Sequence, residues 1–161
     1  MSQTIKADIA VIGAGSGGLS VAAGAAQLGL KVVLFEKGEM GGDCLNYGCV
    51  PSKALIAAAS AAHEARHSDH LGVTAKSVNV DFARVMAHVR ATIATIAPVD
   101  SQERFEGLGC QVVREAARFV DARTVASDSV RVEARKFVIA TGSRAMIPPI
   151  PGLDVTPHLT N

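Results

Sequence analysis

Cys44 and Cys49 stand five positions apart in Gly41-Gly42-Asp43-Cys44-Leu45-Asn46-Tyr47-Gly48-Cys49-Val50-Pro51-Ser52-Lys53. Two thiols this close can form a reversible disulfide, hold a metal or lie inert. In a regular helix, residues five apart are separated by about 7.5 Å along the axis and about 140° around it. A disulfide needs Cα atoms within about 4.4–6.8 Å. The pair cannot bridge across an undistorted helix, and Gly48 and the glycines before Cys44 supply the freedom to distort it. A helix that follows the motif brings its positive N-terminal end near the sulfurs and favours a thiolate, the form that attacks another disulfide. A structural zinc needs four ligands. His63, His67 and His70 could share a helix face, but alanine-rich turns separate them from the cysteines, and a solvated polar helix end explains them better. A buried structural disulfide, or two inert thiols, would also fit the spacing. Cys110 opens an apolar strand and reads as a plain buried thiol.

A second chemical signal precedes the first. Gly13-Ala14-Gly15-Ser16-Gly17-Gly18 fits G-x-G-x-x-G and lies between a predicted strand and a predicted helix, the setting of a dinucleotide fingerprint. Gly13 allows the tight turn, Gly15 lets a pyrophosphate approach the backbone, and Gly18 lets the helix pack on the strand. The helix N-terminus offers free N–H groups and partial positive charge to phosphate. Glu36 closes the second strand about 20 residues further on, where a carboxylate accepts from both ribose hydroxyls and repels a 2′-phosphate. The fingerprint alone leaves NAD and FAD open, and the redox-capable cysteines beside it favour FAD.

These residues need a frame. Residues 5–12 read as a buried parallel strand, 16–28 as a helix stopped by Gly29, and 31–35 as the second strand. Residues 44–66 are alanine-rich and helical, with Pro51 near the start, and 67–79 are a polar connection. Asp81 is a candidate N-cap for a long helix over 82–105, kinked at Pro98. Residues 110–113 are a strand; 117–121, 124–127 and 129–132 are short alternating strands; 136–140 is a further buried strand leading into Thr141-Gly142-Ser143. Residues 148–161 show no clear element, and no internal repeat is visible. The expected fold is α/β, a Rossmann-like FAD/NAD(P)-binding domain: a parallel sheet with helices plus a small antiparallel β-meander.

The chain has 161 residues, 48% of them apolar, with no Trp and one Tyr, so its core must be built from Ala, Val, Ile and Leu. A net charge of +1 with scattered basic residues argues against nucleic acid. No apolar run is long enough for a membrane span, and 9–12 is too short for a signal peptide. Three cysteines without a secretion signal point to a reducing, cytoplasmic setting.

The cysteine segment resembles the redox-active disulfide motif of the flavoprotein disulfide reductases, the class I family of dihydrolipoamide dehydrogenase, glutathione reductase and mercuric reductase. The resemblance implies an FAD-dependent NAD(P)H:disulfide oxidoreductase. Cys44 is then the interchange thiol, Cys49 the charge-transfer thiol against the flavin, and Lys53 the lysine near flavin N5. It places FAD at the fingerprint, with NAD(P)H bound outside this segment. Gly13, Gly15, Ser16, Gly18, Glu36, Lys37, Gly42 and Asp43 join the three catalytic residues on the cofactor. Glu115-Ala116-Ala117-Arg118-Phe119 resembles the segment that contacts adenine through the Ala117 position, although many members have glycine at position 115. Thr141, Gly142 and Ser143 resemble the A-T-G-S strand end that closes over FAD. Asp43 stands where many relatives carry Thr; a carboxylate beside phosphate is awkward there, and it could instead cap the next helix. Leu45-Asn46 with Pro51-Ser52-Lys53 leans towards dihydrolipoamide dehydrogenase, followed by mercuric reductase and then glutathione reductase. A lipoyl or small-molecule disulfide substrate, a homodimer and no membrane or nucleic-acid partner follow. The resemblance spans 7–161 but only the first third of the family's architecture, so the chain is expected to be an N-terminal fragment, inactive alone. The rival reading is a nucleotide-binding module without turnover.

Overall fold

A computed structural model describes residues 3–160; Met1, Ser2 and Asn161 lie outside the described residues. The strands are β1 (Gln3–Ile12), β2 (Val32–Phe35), β3 (Gln111–Val113), β4 (Arg118–Asp121), β5 (Thr124–Ala126) and β6 (Val130–Ile139). The helices are α1 (Ser16–Gln27), α2 (Gly42–Asn46), α3 (Cys49–His67), α4 (Phe82–Ile96) and α5 (Gln102–Gly107). One six-stranded sheet runs β3-β2-β1-β6-β5-β4. β1, β2, β3 and β6 are parallel, and β5 and β4 add antiparallel strands at one side. This is the expected α/β sheet with its meander.

The four residues of β2 are all buried. Successive side chains leave a strand on opposite faces, so Val33 and Phe35 join one buried cluster while Val32 and Leu34 join the other. The second cluster lies under Leu19, Ala22 and Ala25 of α1 and Phe105 of α5, and it also takes in Cys110. The small side chains of α1 let it lie close to the sheet. α1 ends where Gly29, at φ 79°, turns left-handed. Its N–H donates to Ala26 and that of Leu30 to Ala25, which closes the helix as a glycine C-terminal cap does.

Three expectations need correction. Residues 129–132 and 136–140 are not two strands: β6 runs unbroken from Val130 to Ile139 and pairs with β1 along that length. Its polar middle, Glu133-Ala134-Arg135, reads as an interruption in sequence, but Glu133 and Arg135 simply occupy the exposed alternate positions. Nor is the end of β6 buried, since Ile139 is 69% exposed. Lastly, 82–105 is two helices rather than one kinked helix. The chain turns through a short 3₁₀ segment at Ala97–Asp100, and Ser101 caps α5 by accepting from the Arg104 N–H at 3.2 Å. Pro98 cannot donate within a helix, and a second capping residue, a serine, restarts it. Asp81 does cap α4, accepting from the Arg84 N–H at 3.1 Å.

α3 has 19 residues and only Ala54 is buried. It packs chiefly on α4. Among the described residues no helix is long and apolar enough to cross a membrane, and no group of three or more His, Cys, Asp or Glu side chains could hold a metal. His63 and His67 stack with ring centroids 4.1 Å apart on α3.

Candidate functional site

The site begins where β1 ends. Gly13 has φ 106°, and a Cβ there would lie 2.2 Å from the Ala140 carbonyl oxygen. Only glycine permits both the left-handed backbone and the close approach of the chain leaving β6. Gly18, in the first turn of α1, faces the same turn: its Cβ would stand 1.8 Å from the Gly13 carbonyl oxygen. Gly15 is different. Its φ of −80° suits any residue, and a Cβ there would meet no protein atom closer than the Gly42 Cα at 3.9 Å. Neither strain nor packing demands glycine at position 15, which lines an open cavity. Ser16, at the start of α1, follows it.

Glu36 leaves β2 and turns its carboxylate into the glycine loop. One oxygen accepts from the Ala14 N–H at 2.7 Å and the other from the Gly38 N–H at 2.7 Å. A carboxylate has about four acceptor sites, so each oxygen retains capacity for another donor. Arg114 donates to the Gly38 carbonyl and ties this loop to the end of β3.

The cysteine loop is stitched to the glycine loop. The Gly41 N–H donates to the Ala14 carbonyl at 2.9 Å, and Gly15 and Gly41 form an isolated parallel bridge. Gly42, at φ 58°, comes so close that its Cβ would lie 2.7 Å from the Gly15 Cα. The predicted helix over 44–66 is broken as its glycines suggested. α2 stops after Asn46 because both Tyr47 and Gly48 donate to the Asp43 carbonyl, at 2.9 and 2.6 Å, and α3 restarts at Cys49. The two cysteines thereby sit on different helices.

One cavity of about 680 Å³ collects most of the predicted cofactor residues. Gly13, Gly15, Gly42 and Asp43 line it at the loops, Glu36 and Lys37 after β2, Ala117 before β4, and Thr141, Gly142 and Ser143 after β6. Glu115 lines the same cavity as Ala117. Its carboxylate accepts from the Ser129 N–H at 3.0 Å and is held below its ordinary pKa first by the Ser127 hydroxyl. β4 starts only at Arg118, which leaves Ala117 in the cavity wall. Ser16, Gly18, Cys44, Cys49 and Lys53 are not in this wall. Ser16 and Cys44 line a smaller cavity of about 320 Å³, with Gly41, Asp100, Arg104 and Phe105.

Cys44, Cys49 and Cys110 are all free thiols. Cys49 is the first residue of α3 and is exposed, and its backbone N–H, at the head of that helix, faces the Cys44 sulfur. Cys44 differs from the expectation that both sulfurs favour the thiolate. Its pKa is raised, first by hydrogen bonding with the Cys49 side chain and then by burial, against a lowering by the Cys49 backbone N–H and then by the Lys53 ammonium. Cys110 is buried and raised by desolvation alone, as an inert thiol should be.

Sequence reasoning missed Glu39, Tyr47 and Arg144, which also line the larger cavity. The Tyr47 hydroxyl donates to Glu39 at 2.6 Å, and that contact raises its pKa. Tyr47 lies within the cysteine motif and Arg144 directly after Ser143, but neither position has a spacing that would announce it.

A model of the pyridine nucleotide-disulphide oxidoreductase family matches residues 7–160. The chain belongs to this family. It is 42% identical over 144 residues to a dihydrolipoyl dehydrogenase of Geobacillus stearothermophilus, covering 87% of this chain and 30% of that protein. It is 32% identical over 154 residues to a mercuric reductase of Bacillus cereus, covering 96% of this chain and 24% of that protein. Among solved structures it superposes on the Cu(II) complex of the HOCl-induced flavoprotein disulfide reductase RclA from Escherichia coli. The TM-score is 0.72 and the identity 25%, over 93% of this chain and 31% of that one. The chain therefore spans about a third or less of the relatives it matches. The resemblance read from the cysteine motif is to this same family, whose members bind FAD with NAD(P)H as co-substrate. The residues present fit FAD: Gly15 leaves open the space a side chain would fill, beside the N-terminus of α1 and the Glu36 carboxylate.

Proposed function

We propose that this chain is the N-terminal part of the FAD-binding domain of an NAD(P)H:disulfide oxidoreductase, and that Cys44 and Cys49 are its redox pair. The observation that carries the reading is the stitch between the two loops. The Gly15–Gly41 bridge holds the cysteine loop against the glycine turn, so the dithiol shares its anchoring backbone with the proposed pyrophosphate site. Bound FAD would supply a centre that accepts a hydride from the nicotinamide and returns an electron pair to the disulfide.

The chain's own residues have distinct tasks. Gly13, Gly15, Gly42 and the start of α1 at Ser16 hold the pyrophosphate; Gly18 keeps α1 close enough to do so. Glu36 and Lys37 take the ribose, Ala117 the adenine, and Thr141 to Ser143 close over the cofactor. Cys49 presents its sulfur at the head of α3, with Lys53 one turn away. Cys44 holds its proton until a base removes it, and then attacks the substrate disulfide. That step forms a mixed disulfide with one substrate sulfur and releases the other as a thiol, and Cys49 then displaces the bound half to restore Cys44–Cys49. The greater identity to dihydrolipoyl dehydrogenase favours a lipoyl substrate over the mercuric ion. A cytoplasmic homodimer is the matching assembly.

Gly15→Val tests the cofactor site. Its backbone and neighbours tolerate a side chain, so stability should stay within about 1 kcal/mol of the parent. FAD affinity, measured by quenching of flavin fluorescence, should fall at least tenfold, or about 1.4 kcal/mol. Unchanged affinity would move the cofactor elsewhere.

A further inference from the structure

Asp43 sits between the cavity and the cysteine pair, and its geometry suggests more than helix capping. Its carbonyl receives the N–H groups of Tyr47 and Gly48, which folds the start of α3 back over it. Its carboxylate reaches the same place: Oδ2 lies 2.6 Å, and Cγ 3.4 Å, from where a Cβ on Gly48 would stand. A side chain at Gly48 would meet the Asp43 carboxylate. Gly48 is the N-cap of α3, and Cys49 is the first helical residue. A negative charge thus rests against the helix end whose first N–H, that of Cys49, also serves the Cys44 sulfur.

We propose that Asp43 is a positioning residue that sets the acidity of the Cys44–Cys49 dithiol by holding its carboxylate against the N-terminus of α3. This rests on the reading of these cysteines as the redox pair. Lys53, one turn along α3, lowers the Cys44 pKa through its charge. Asp100 and Arg104, in the wall of the cavity that Cys44 lines, are of opposite sign. Glu39 is engaged by Tyr47. Asp43 is the carboxylate seated on the peptide that precedes Cys49. It penalises the thiolate form of the pair and leaves the disulfide, which carries no charge, untouched. The reduced pair therefore gives up its first proton at higher pH than the helix end alone would allow.

The test is the pH dependence of iodoacetamide alkylation of the reduced chain, followed at Cys44 and Cys49 by mass spectrometry, for the parent, Asp43→Asn and Asp43→Thr. Circular dichroism reports whether each variant is folded, and two substitutions of different size guard against loss of one. The midpoint of the first thiol should fall by about half a pH unit or more in both folded variants, as expected for loss of one charge at the head of α3. A midpoint that stays or rises in a folded variant overturns the proposal. Oxidation of the parent chain separates this from the broader reading: if Cys44 and Cys49 form an intramolecular disulfide while the midpoints coincide, only the role of Asp43 fails. If the parent cannot form that disulfide, the redox pair itself fails.

Discussion

Gly18→Ala is expected to destabilise the chain by about 3 kcal/mol or more, out of a total of about 5–15 kcal/mol for a domain of this kind. The added methyl would stand 1.8 Å from the Gly13 carbonyl oxygen, which is backbone and cannot rotate aside. Gly13 cannot retreat either, because the Ala140 carbonyl oxygen lies 2.2 Å from where its own Cβ would stand. α1 must therefore lift from the turn, and its N-terminal N–H groups leave the cavity with it. Urea denaturation should show the loss of stability, and FAD binding should fall in parallel. Gly17→Ala and Gly24→Ala are the matched comparison. Both lie in the same helix with nothing within 4 Å of the added carbon, so they should be neutral or stabilising by up to about 1 kcal/mol. If Gly18→Ala behaved like them, the close packing of α1 on the glycine turn would be wrong.

The second large effect concerns the cysteines. On the proposed function, Cys44→Ser and Cys49→Ser should each lower disulfide-reductase turnover by on the order of 10³-fold or more, because neither sulfur can complete the exchange alone. The two variants should differ in thiol chemistry. The Cys49 side chain is the main cause of the raised Cys44 pKa. A raised pKa means less thiolate at neutral pH, so Cys44 in the parent should react faster as pH rises. Cys49→Ser removes that cause, and the midpoint of Cys44 alkylation should move to lower pH. Cys44→Ser leaves Cys49 exposed at the head of α3 and readily alkylated. Cys110 should remain slow in every variant, since it is buried at 5% exposure under α1. Turnover that survived either serine substitution would remove the pair from the reaction.

Much of this was legible in the sequence because local chemistry and fold agree there. The glycine fingerprint needs a strand before it, a helix after it and an acid on the next strand. β1, α1 and Glu36 supply them, and the close contacts at Gly13 and Gly18 give each glycine a separate physical task. The break between the cysteines was foreseeable once they are read as a pair that bridges, since five residues of regular helix hold two sulfurs too far apart. What was not legible depends on contacts between distant segments. β6 reads as two strands because Glu133-Ala134-Arg135 interrupts the apolar pattern, yet pairing with β1 carries it through. The break before α5 depends on Ser101 taking the Arg104 N–H, which a proline-kink reading overlooks. The raised pKa of Cys44 arises from one sulfur facing the other beside a helix end, and nothing in the cysteine spacing carries that information. Tyr47 and Glu39 meet only because the loop between them folds back on Asp43.

The most direct measurement is the visible absorption spectrum of the purified chain with FAD added, recorded before and after a dithiol reductant. The expected result is a bound-flavin spectrum that gains a long-wavelength thiolate-to-flavin band when Cys44 and Cys49 are reduced, and that lacks the band in Cys49→Ser. Bound flavin without the band, or no bound flavin at all, would contradict the claim that the stitched loops hold the cofactor and the dithiol together.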